Sequence, residues 1–231
     1  PAVKKATIYG SQRLRAAKTM RMTNDSGTEF SADITEFDSF HQYGFADECG
    51  HFDHWGAGHL YTFPNEGSAQ GIVVIQPGDL IALPYNRFVT EAIRLEIRDG
   101  FIRKIEGDGL DARMMRNWLD KNRTGPDDMD GYAISHIGWG TNPYCRWDNM
   151  ALNGGDNDRN NGNGRGFAGN FLFSTGPNTQ GGGTRHTTGH YDVPMIECCV
   201  YLDDELVIDH GRFVDGQMEA PLEERSYLHV I

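Results

Sequence analysis

The stretch from Ile93 to Ile105 reads IRLEIRDGFIRKI, and it decides the fold class. Apolar residues at positions 93, 95 and 97 alternate with charged residues at 94, 96 and 98, a period of two that is typical of a half-buried strand. Asp99-Gly100 is a dipeptide preferred at two-residue hairpin turns, and another β-rich run follows it. The stretch therefore predicts two antiparallel strands joined by a tight turn.

Most of the remaining chain also predicts strands, because short β-rich runs alternate with turn residues. The further predicted strands are Thr19–Thr23, Thr28–Ile34, Ile72–Gln76, Leu80–Leu83, Tyr132–Ile137, Phe171–Ser174, Met195–Leu202 and Glu205–Ile208, the last two forming a hairpin across Asp203-Asp204. Helices are predicted at Gln12–Lys18 and Leu110–Lys121. We find no repeat and no linker, so we expect an α+β, mostly antiparallel protein with a single domain over residues 1–231.

Composition excludes several classes of protein. The formal net charge is −12 over 231 residues, whereas a nucleic-acid or anionic-membrane partner would require a basic surface. No apolar run approaches the roughly 18 residues of a membrane-spanning helix, and the N-terminus has no apolar signal core. Four cysteines in a chain of this size do not form a disulfide framework. We therefore expect a cytoplasmic protein with reduced thiols and with neither nucleic acid nor membrane as a partner.

Two histidines and one aspartate are candidate metal ligands. His190 and Asp192 are separated by one residue, so both side chains point to the same side of an extended segment. His136 lies upstream at the end of an apolar run. Two imidazoles and one carboxylate hold non-haem Fe(II) in many oxygenases. Three protein ligands on one face leave coordination positions open, so a substrate anion and O2 can occupy the same metal.

A second polar cluster runs from Asp47 to His59 and contains three of the nine histidines. A zinc finger is excluded there because the cluster has a single cysteine. Imidazole titrates near neutral pH, so these residues favour acid/base and hydrogen-bonding roles in an active-site wall. The alternative is that each histidine is an ordinary hydrogen-bonded surface residue.

Glycine and asparagine dominate the segment from Asn153 to Gly183, apart from the apolar run Phe167–Phe173. Such a composition buries little surface and predicts mobile loops. The segment is either a surface insertion or a pair of loops that flank and close the site. The second interpretation follows from its place between His136 and His190.

Several blocks resemble the C-terminal domain of the aminopeptidase T-type metallopeptidases. These blocks are Gly58–Ser68, Glu91–Leu95, Gly138–Pro143 and His190–Met195. The resemblance extends from about Arg13 onward and implies a barrel-like catalytic domain of the aminopeptidase T-like fold. It also implies a preceding N-terminal α/β domain, which we expect to be absent from this chain.

The ligand positions depart from the metallopeptidase pattern. His59 stands at the glutamate of the peptidase Gly-Glu motif, and His136 stands at a second glutamate. The peptidase histidine of the Phe171–Ser174 strand is also missing. A two-metal site needs carboxylates that bridge two cations, and one imidazole nitrogen cannot bridge. The departures therefore disfavour a dinuclear hydrolytic site.

The remaining ligand set resembles the ring-cleaving branch of this superfamily, the 2,5-dihydroxypyridine 5,6-dioxygenases. That resemblance implies nicotinate breakdown, with a small aromatic substrate and O2 as partners, N-formylmaleamate as product, and Fe(II) held by His136, His190 and Asp192. It implies catalytic roles for Glu48 and His59. It implies substrate contacts for Ser174, His51 and His54. We also expect a homo-oligomer.

Two other function classes remain open. One is a metal-dependent aminopeptidase or amidohydrolase of the same fold. The other is a non-catalytic module that binds a small molecule or assembles. Metal content separates the classes, because one iron per chain indicates the dioxygenase, two zinc or cobalt ions the hydrolase, and no metal the binding module.

Overall fold

A computed structural model of the chain describes residues 1–51, 53, 57–153 and 157–221. The α-helices in these ranges are α1 (Ala2–Ala16), α2 (Leu110–Lys121), α3 (Asn149–Asn153) and α4 (Asn157–Gly166). Among the described residues, no helix has both the length and the apolar character of a membrane span.

Short strands form the rest of the framework. In chain order they are β1 (Thr19–Thr23), β2 (Glu29–Asp33), β3 (Phe40–Gln42), β4 (His59–Thr62), β5 (Gln70–Ile75), β6 (Leu80–Ile81), β7 (Arg87–Phe88), β8 (Ile93–Arg98), β9 (Phe101–Glu106), β10 (Ile134–Gly140), β11 (Phe171–Thr175), β12 (Tyr191–Met195), β13 (Cys199–Leu202), β14 (Glu205–Asp209) and β15 (Arg212–Phe213).

These strands form two large sheets and one small pair. The eight-stranded sheet has the order β15-β14-β13-β1-β2-β5-β8-β9, the five-stranded sheet has the order β12-β11-β10-β4-β3, and β6 pairs with β7. Pairings between these strands are antiparallel, which confirms the predicted α+β, mostly antiparallel class. Within the described ranges neither sheet closes on itself, so the barrel-like shape is corrected to two open sheets.

The hairpin predicted from Ile93–Ile105 is confirmed. β8 pairs with β9, and Arg98 stands opposite Phe101. Asp99 and Gly100 both have positive φ, at 54° and 77°, as the preferred two-residue hairpin turn requires. Leu110–Lys121 is also confirmed as a helix, with Met115 and Leu119 buried on its inner side.

Three local predictions are corrected. The first helix begins at Ala2 instead of Gln12, and its buried side consists mainly of small residues that give a weak apolar pattern. The predicted strand Met195–Leu202 is two strands in different sheets, divided at Glu197, which has a φ of 54°. The segment from Asn153 to Gly183, predicted to form loops apart from an apolar run, contains the helix α4 and a short 3-10 turn, whereas its predicted strand Phe171–Ser174 is confirmed as β11.

The apolar face of the five-stranded sheet packs on the eight-stranded sheet and on α1. The ring of Phe30 in β2 lies 6.5 Å from that of Phe171 and 6.0 Å from that of Phe173, both in β11. Gly10 of α1 lies against Leu60 of β4, where an added Cβ would be 2.6 Å from Leu60 Cδ2. One face of the sheet is therefore core, and alternation along the strands leaves the opposite face for polar side chains.

Candidate metal centre

Neighbouring strands bring the three predicted metal ligands together. His136 lies in β10, Asp192 lies in β12, and His190 immediately precedes β12. β11 runs between β10 and β12, and its Ser174 pairs with Asp192 in the register. Because side chains directly opposite each other share one face of a sheet, Ser174 and Asp192 lie on the face away from the core.

A β-bulge positions His136. The register of β10 against β11 shifts between Ile134 and Ile137, so Ser135 and His136 stand opposite the single residue Ser174. Such bulges turn side chains to new directions and are common beside active sites. The Ser174 hydroxyl donates a hydrogen bond to the His136 carbonyl oxygen at 2.7 Å, and the serine is fully buried. Ser174 therefore supports the backbone that carries a predicted ligand.

Both histidines point at the same carboxylate oxygen. His190 Nε2 lies 2.7 Å and His136 Nε2 lies 3.2 Å from Asp192 Oδ1. The donor atoms of these three residues all lie within 4.8 Å of one another. We call His136, His190 and Asp192 the triad.

Arg165, at the C-terminal end of α4, holds the other carboxylate oxygen. Its Nη2 atom lies 2.5 Å from Asp192 Oδ2. Burial alone would raise the pKa of Asp192, but Arg165 and the two histidines hold that pKa well below its ordinary value. Burial lowers the pKa of His136, which keeps its ring neutral. The carboxylate is thus charged and the imidazole is unprotonated, as metal ligation requires.

Aromatic rings line the same face next to the triad. The ring of Tyr61 in β4 lies 5.1 Å from that of His136, and the His59 ring is stacked 5.6 Å from Tyr61. Gln180 Nε2 donates to the Tyr61 hydroxyl oxygen at 2.8 Å. Burial raises the pKa of Tyr61 to about 12, so the phenol keeps its proton at neutral pH. His59 is therefore close to the triad, separated from His136 by the Tyr61 ring.

Glu48 and His51 make their contacts elsewhere. The Glu48 side chain is 70% exposed, with its carboxylate 3.9 Å from Lys4 Nζ on α1. His51 Nε2 lies 3.0 Å from Asp53 Oδ2, and its ring is stacked 4.8 Å from that of Tyr43. These contacts involve α1 and the segment after β3, and the structure does not bring either residue to the triad. His54, the remaining predicted substrate contact, lies outside the described residues.

Sequence reasoning missed Arg165, Tyr61 and Gln180. Arg165 belongs to the glycine- and asparagine-rich segment that we expected to form loops. The pairing of Arg165 with Asp192 could have been predicted in part, because a buried ligand carboxylate needs a counter-charge. Arg165 is an arginine in a polar, glycine-rich run between the predicted ligands His136 and His190. Tyr61 follows His59 by two residues, and this spacing places both side chains on one face of a strand.

The triad fits a single metal ion. The Nε2 atoms of two imidazoles and one carboxylate oxygen converge, while Arg165 occupies the second carboxylate oxygen. His136 Nδ1 is buried and has no hydrogen-bond partner among the described residues, so Nε2 is the histidine's contact to the triad. A 2-His-1-carboxylate set of this kind could hold one divalent ion and leave coordination positions open.

Comparison with known proteins identifies the family of the chain. A family model described as 2,5-dihydroxypyridine 5,6-dioxygenase matches residues 1–215. A curated 2,5-dihydroxypyridine 5,6-dioxygenase of Pseudomonas putida KT2440 is 40% identical in an alignment of 226 residues that covers 96% of this chain and 60% of the relative. The chain therefore spans about 60% of the length of the curated relative that it matches.

Two solved structures have the same fold. The structure of 2,5-dihydroxypyridine dioxygenase from Pseudomonas putida KT2440 superposes with a TM-score of 0.86 at 39% identity, covering 94% of this chain and 61% of that one. Wild-type AmpT from Thermus thermophilus superposes with a TM-score of 0.58 at 17% identity, covering 93% of this chain and 57% of that one. The second likeness concerns the fold alone and confirms the aminopeptidase T-like architecture. Because the family model matches most of the sequence, this chain belongs to the 2,5-dihydroxypyridine 5,6-dioxygenase family.

Proposed function

We propose that this chain is the metal-binding part of a dioxygenase that opens the ring of 2,5-dihydroxypyridine or a similar hydroxylated aromatic. The proposed cofactor is Fe(II), held by the triad, and the proposed product is N-formylmaleamate, in nicotinate breakdown. One observation carries the proposal: two imidazoles and a buried carboxylate converge on one point. Bound Fe(II) would supply the electron exchange that allows O2 to react with a closed-shell aromatic ring.

The charge around the triad favours an anionic substrate. Asp192 and Arg165 carry opposite single charges, so a divalent ion would leave a net charge of about two positive units here. A buried site of that charge is stabilised by an anion. A hydroxypyridine that has lost a hydroxyl proton supplies such an anion, whereas a neutral peptide does not.

The aromatic lining favours a flat substrate. Tyr61 is stacked on His59, and the Phe63 ring meets that of His136 edge to face at 6.0 Å. Offset-stacked and edge-to-face arrangements are favourable for a further aromatic ring. Because the Tyr61 phenol remains protonated, with its oxygen accepting from Gln180, its O–H is suited to donate to a substrate oxygen.

His59 is the proposed proton-transfer residue. It is 3% exposed and lies beside Tyr61 on the polar face of the five-stranded sheet. An imidazole in that place can take a proton from a substrate hydroxyl and return it to a ring-opened product. Glu48, His51 and His54 keep their sequence-based roles as proposals, and Ser174 is proposed to act through the position of His136.

The hydrolase alternative would need a second metal and bridging carboxylates. In the described part of the chain, the donor group at this place contains one carboxylate, that of Asp192. The donor set thus favours a single ion. We also propose that the protein is cytoplasmic and assembles as a homo-oligomer, which light scattering of the purified protein would test.

The test is anaerobic loading of the protein with one equivalent of Fe(II), followed by oxygen uptake with 2,5-dihydroxypyridine. We expect uptake of one O2 per substrate and a product with the mass of N-formylmaleamate. The Zn(II)-loaded protein should bind the substrate without consuming O2. His186→Ala is the control for His190→Ala, because His186 is an exposed histidine of the same segment.

Three outcomes would contradict the proposal. Stoichiometric binding of two zinc ions with peptide hydrolysis would support the hydrolase. Folded protein that binds no metal at all would support a non-catalytic module. One bound iron without oxygen uptake on any hydroxypyridine or hydroquinone would remove this substrate class.

A further inference from the structure

A second group of potential metal ligands lies at one end of the eight-stranded sheet. Cys199 begins β13, Asp209 ends β14, and His210 follows in the turn that leads to β15. Their donor atoms lie within 4.8 Å of one another. We call these three residues the turn cluster. None of them has a part in the proposed dioxygenase chemistry.

The distances in the turn cluster resemble those between ligands of a tetrahedral metal ion. Cys199 Sγ lies 3.5 Å from His210 Nδ1 and 3.6 Å from Asp209 Oδ1. Metal–sulfur and metal–nitrogen bonds of about 2.3 and 2.0 Å at a tetrahedral angle give sulfur–nitrogen and sulfur–oxygen separations of about 3.5 Å. His210 Nδ1 and Asp209 Oδ1 are closer, at 2.6 Å, so a metal would have to part this pair by several tenths of an ångström.

The surroundings of His210 and Cys199 also suit metal binding. The other ring nitrogen of His210, Nε2, lies 3.5 Å from Asp25 Oδ1. A carboxylate on the far nitrogen fixes the tautomer of metal-ligating histidines in many sites. Cys199 is 6% exposed, and its sulfur accepts the backbone N–H of His210 at 3.4 Å. That hydrogen bond stabilises negative charge on sulfur, as a thiolate ligand needs.

Two other roles fit the geometry less well. In a Cys-His-Asp nucleophile system, the cysteine and the aspartate contact different ring nitrogens. Here Cys199 and Asp209 both contact His210 Nδ1. The carboxylate on Nε2, that of Asp25, is 91% exposed and 3.5 Å away, so it does not orient the ring as the buried aspartate of such a system does. A disulfide is also unsupported, since Cys199 and its neighbour Cys198 are both free thiols.

We propose that the turn cluster binds one Zn²⁺ or a similar borderline divalent cation through Cys199, Asp209 and His210. Thiolate and imidazole ligands select such ions over Mg²⁺ and Ca²⁺, which prefer oxygen. Asp209 and His210 are exposed, so water completes the fourth position. The bound ion would connect the start of β13 to the β14–β15 turn. This site is separate from the triad and does not depend on the proposed function.

Cobalt(II) is the probe, because a thiolate bound to cobalt gives an intense charge-transfer band in the near ultraviolet. The triad contains no sulfur, so the band reports the turn cluster alone. We expect the full chain to develop the band with one equivalent of cobalt beyond the triad's, and Zn(II) to abolish it by displacement. Cys199→Ser should abolish the band, and His210→Ala should weaken cobalt binding at least about tenfold.

Cys145→Ser is the matched control, since Cys145 is a free, partly buried thiol outside the turn cluster, and it should keep the full band. His190→Ala should also keep the band while losing the triad's metal. A band that survives in Cys199→Ser, or no band in the folded wild-type chain at saturating cobalt, would overturn the proposal. His210→Ala lies on an exposed turn, so an unchanged cobalt affinity in that variant would count equally against it.

Discussion

The triad and the turn cluster offer similar donor atoms in very different surroundings. The triad lies on the polar face of the five-stranded sheet, where strand pairing positions its ligands and Arg165 neutralises its carboxylate. The turn cluster lies where strands of the eight-stranded sheet end, and two of its three residues are exposed. A buried carboxylate therefore needs a counter-charge such as Arg165, whereas an exposed one is stabilised by water.

The largest expected effect is loss of the triad's metal. We predict that His136→Ala, His190→Ala and Asp192→Ala each abolish stoichiometric iron binding and oxygen uptake, because two remaining ligands are too few to retain the ion. Metal analysis after gel filtration measures the first effect and an oxygen electrode the second. Stoichiometric iron and full activity in any two of these variants would show that the ligand assignment is wrong.

A smaller but still large effect is expected beside the triad. His59→Ala should keep iron and lose turnover by about 10²–10⁴-fold, the range typical of proton-transfer residues. Glu48→Gln tests the position of that residue. The sequence-based assignment predicts a comparable loss, whereas an exposed carboxylate beside Lys4 predicts almost none. Loss of iron in His59→Ala would make His59 a ligand and restore a peptidase-like arrangement.

Arg165→Met tests the role of the counter-charge. Without metal, the substitution leaves Asp192 buried and unpaired with a strong cation, which should reduce the free energy of unfolding by about 3–5 kcal/mol. With a divalent ion bound, the loss should be clearly smaller, because the ion supplies the missing positive charge. Urea unfolding with and without Zn(II) measures both values.

The matched control for Arg165→Met is Arg146→Met, which removes an exposed ion pair with Asp148 and should cost less than about 1 kcal/mol. If Arg165→Met lowers the free energy of unfolding equally with and without metal, Arg165 contributes through packing and its charge does not balance that of Asp192.

Asp79 is a buried carboxylate without a counter-charge among these contacts, since it accepts hydrogen bonds from the backbone N–H groups of Gln76 and Ile196. Burial raises its pKa from 3.8 to about 7. The folded state then keeps a proton that the unfolded state releases, so stability should fall as the pH rises from about 4 to about 7 and level off above. The total change is roughly 4 kcal/mol. Asp79→Asn should flatten this slope, and an unchanged slope would assign it to other groups.

The smallest predicted effect concerns the bulge. Ser174→Ala removes the donor to the His136 carbonyl and should cost about 1–3 kcal/mol in stability, with a 10–100-fold loss in metal affinity. Thr175→Val is the control, because the Thr175 hydroxyl is buried without a hydrogen-bond partner among the described residues. If Ser174 instead contacts substrate, KM should rise while metal affinity stays unchanged.

Local sequence patterns were enough to predict much of the secondary structure and one pair of metal ligands. The Ile93–Ile105 hairpin and the helix Leu110–Lys121 were predictable because alternation, turn dipeptides and helical periodicity act over a few residues. His190 and Asp192 were predictable as a pair for the same reason, since one intervening residue places both on one side of an extended segment. The addition of His136 to this pair rested on residue chemistry and on the family resemblance, and the structure brings the three together.

Tertiary structure alone decided the rest, because it depends on which distant strands pair and in what register. The register places Ser174 beneath His136, and the packing of α4 brings Arg165 to Asp192. The first half of α1 shows no strong apolar pattern in the sequence. Its Gly10 is needed because the helix packs closely on Leu60, a contact that only the tertiary structure reveals. Glu48 and His51 lie near His59 in the sequence, yet their contacts are with α1 and Tyr43 rather than with the triad. Spacing along the chain determines on which face of a strand a side chain lies. The pairing of distant strands determines which side chains come into contact.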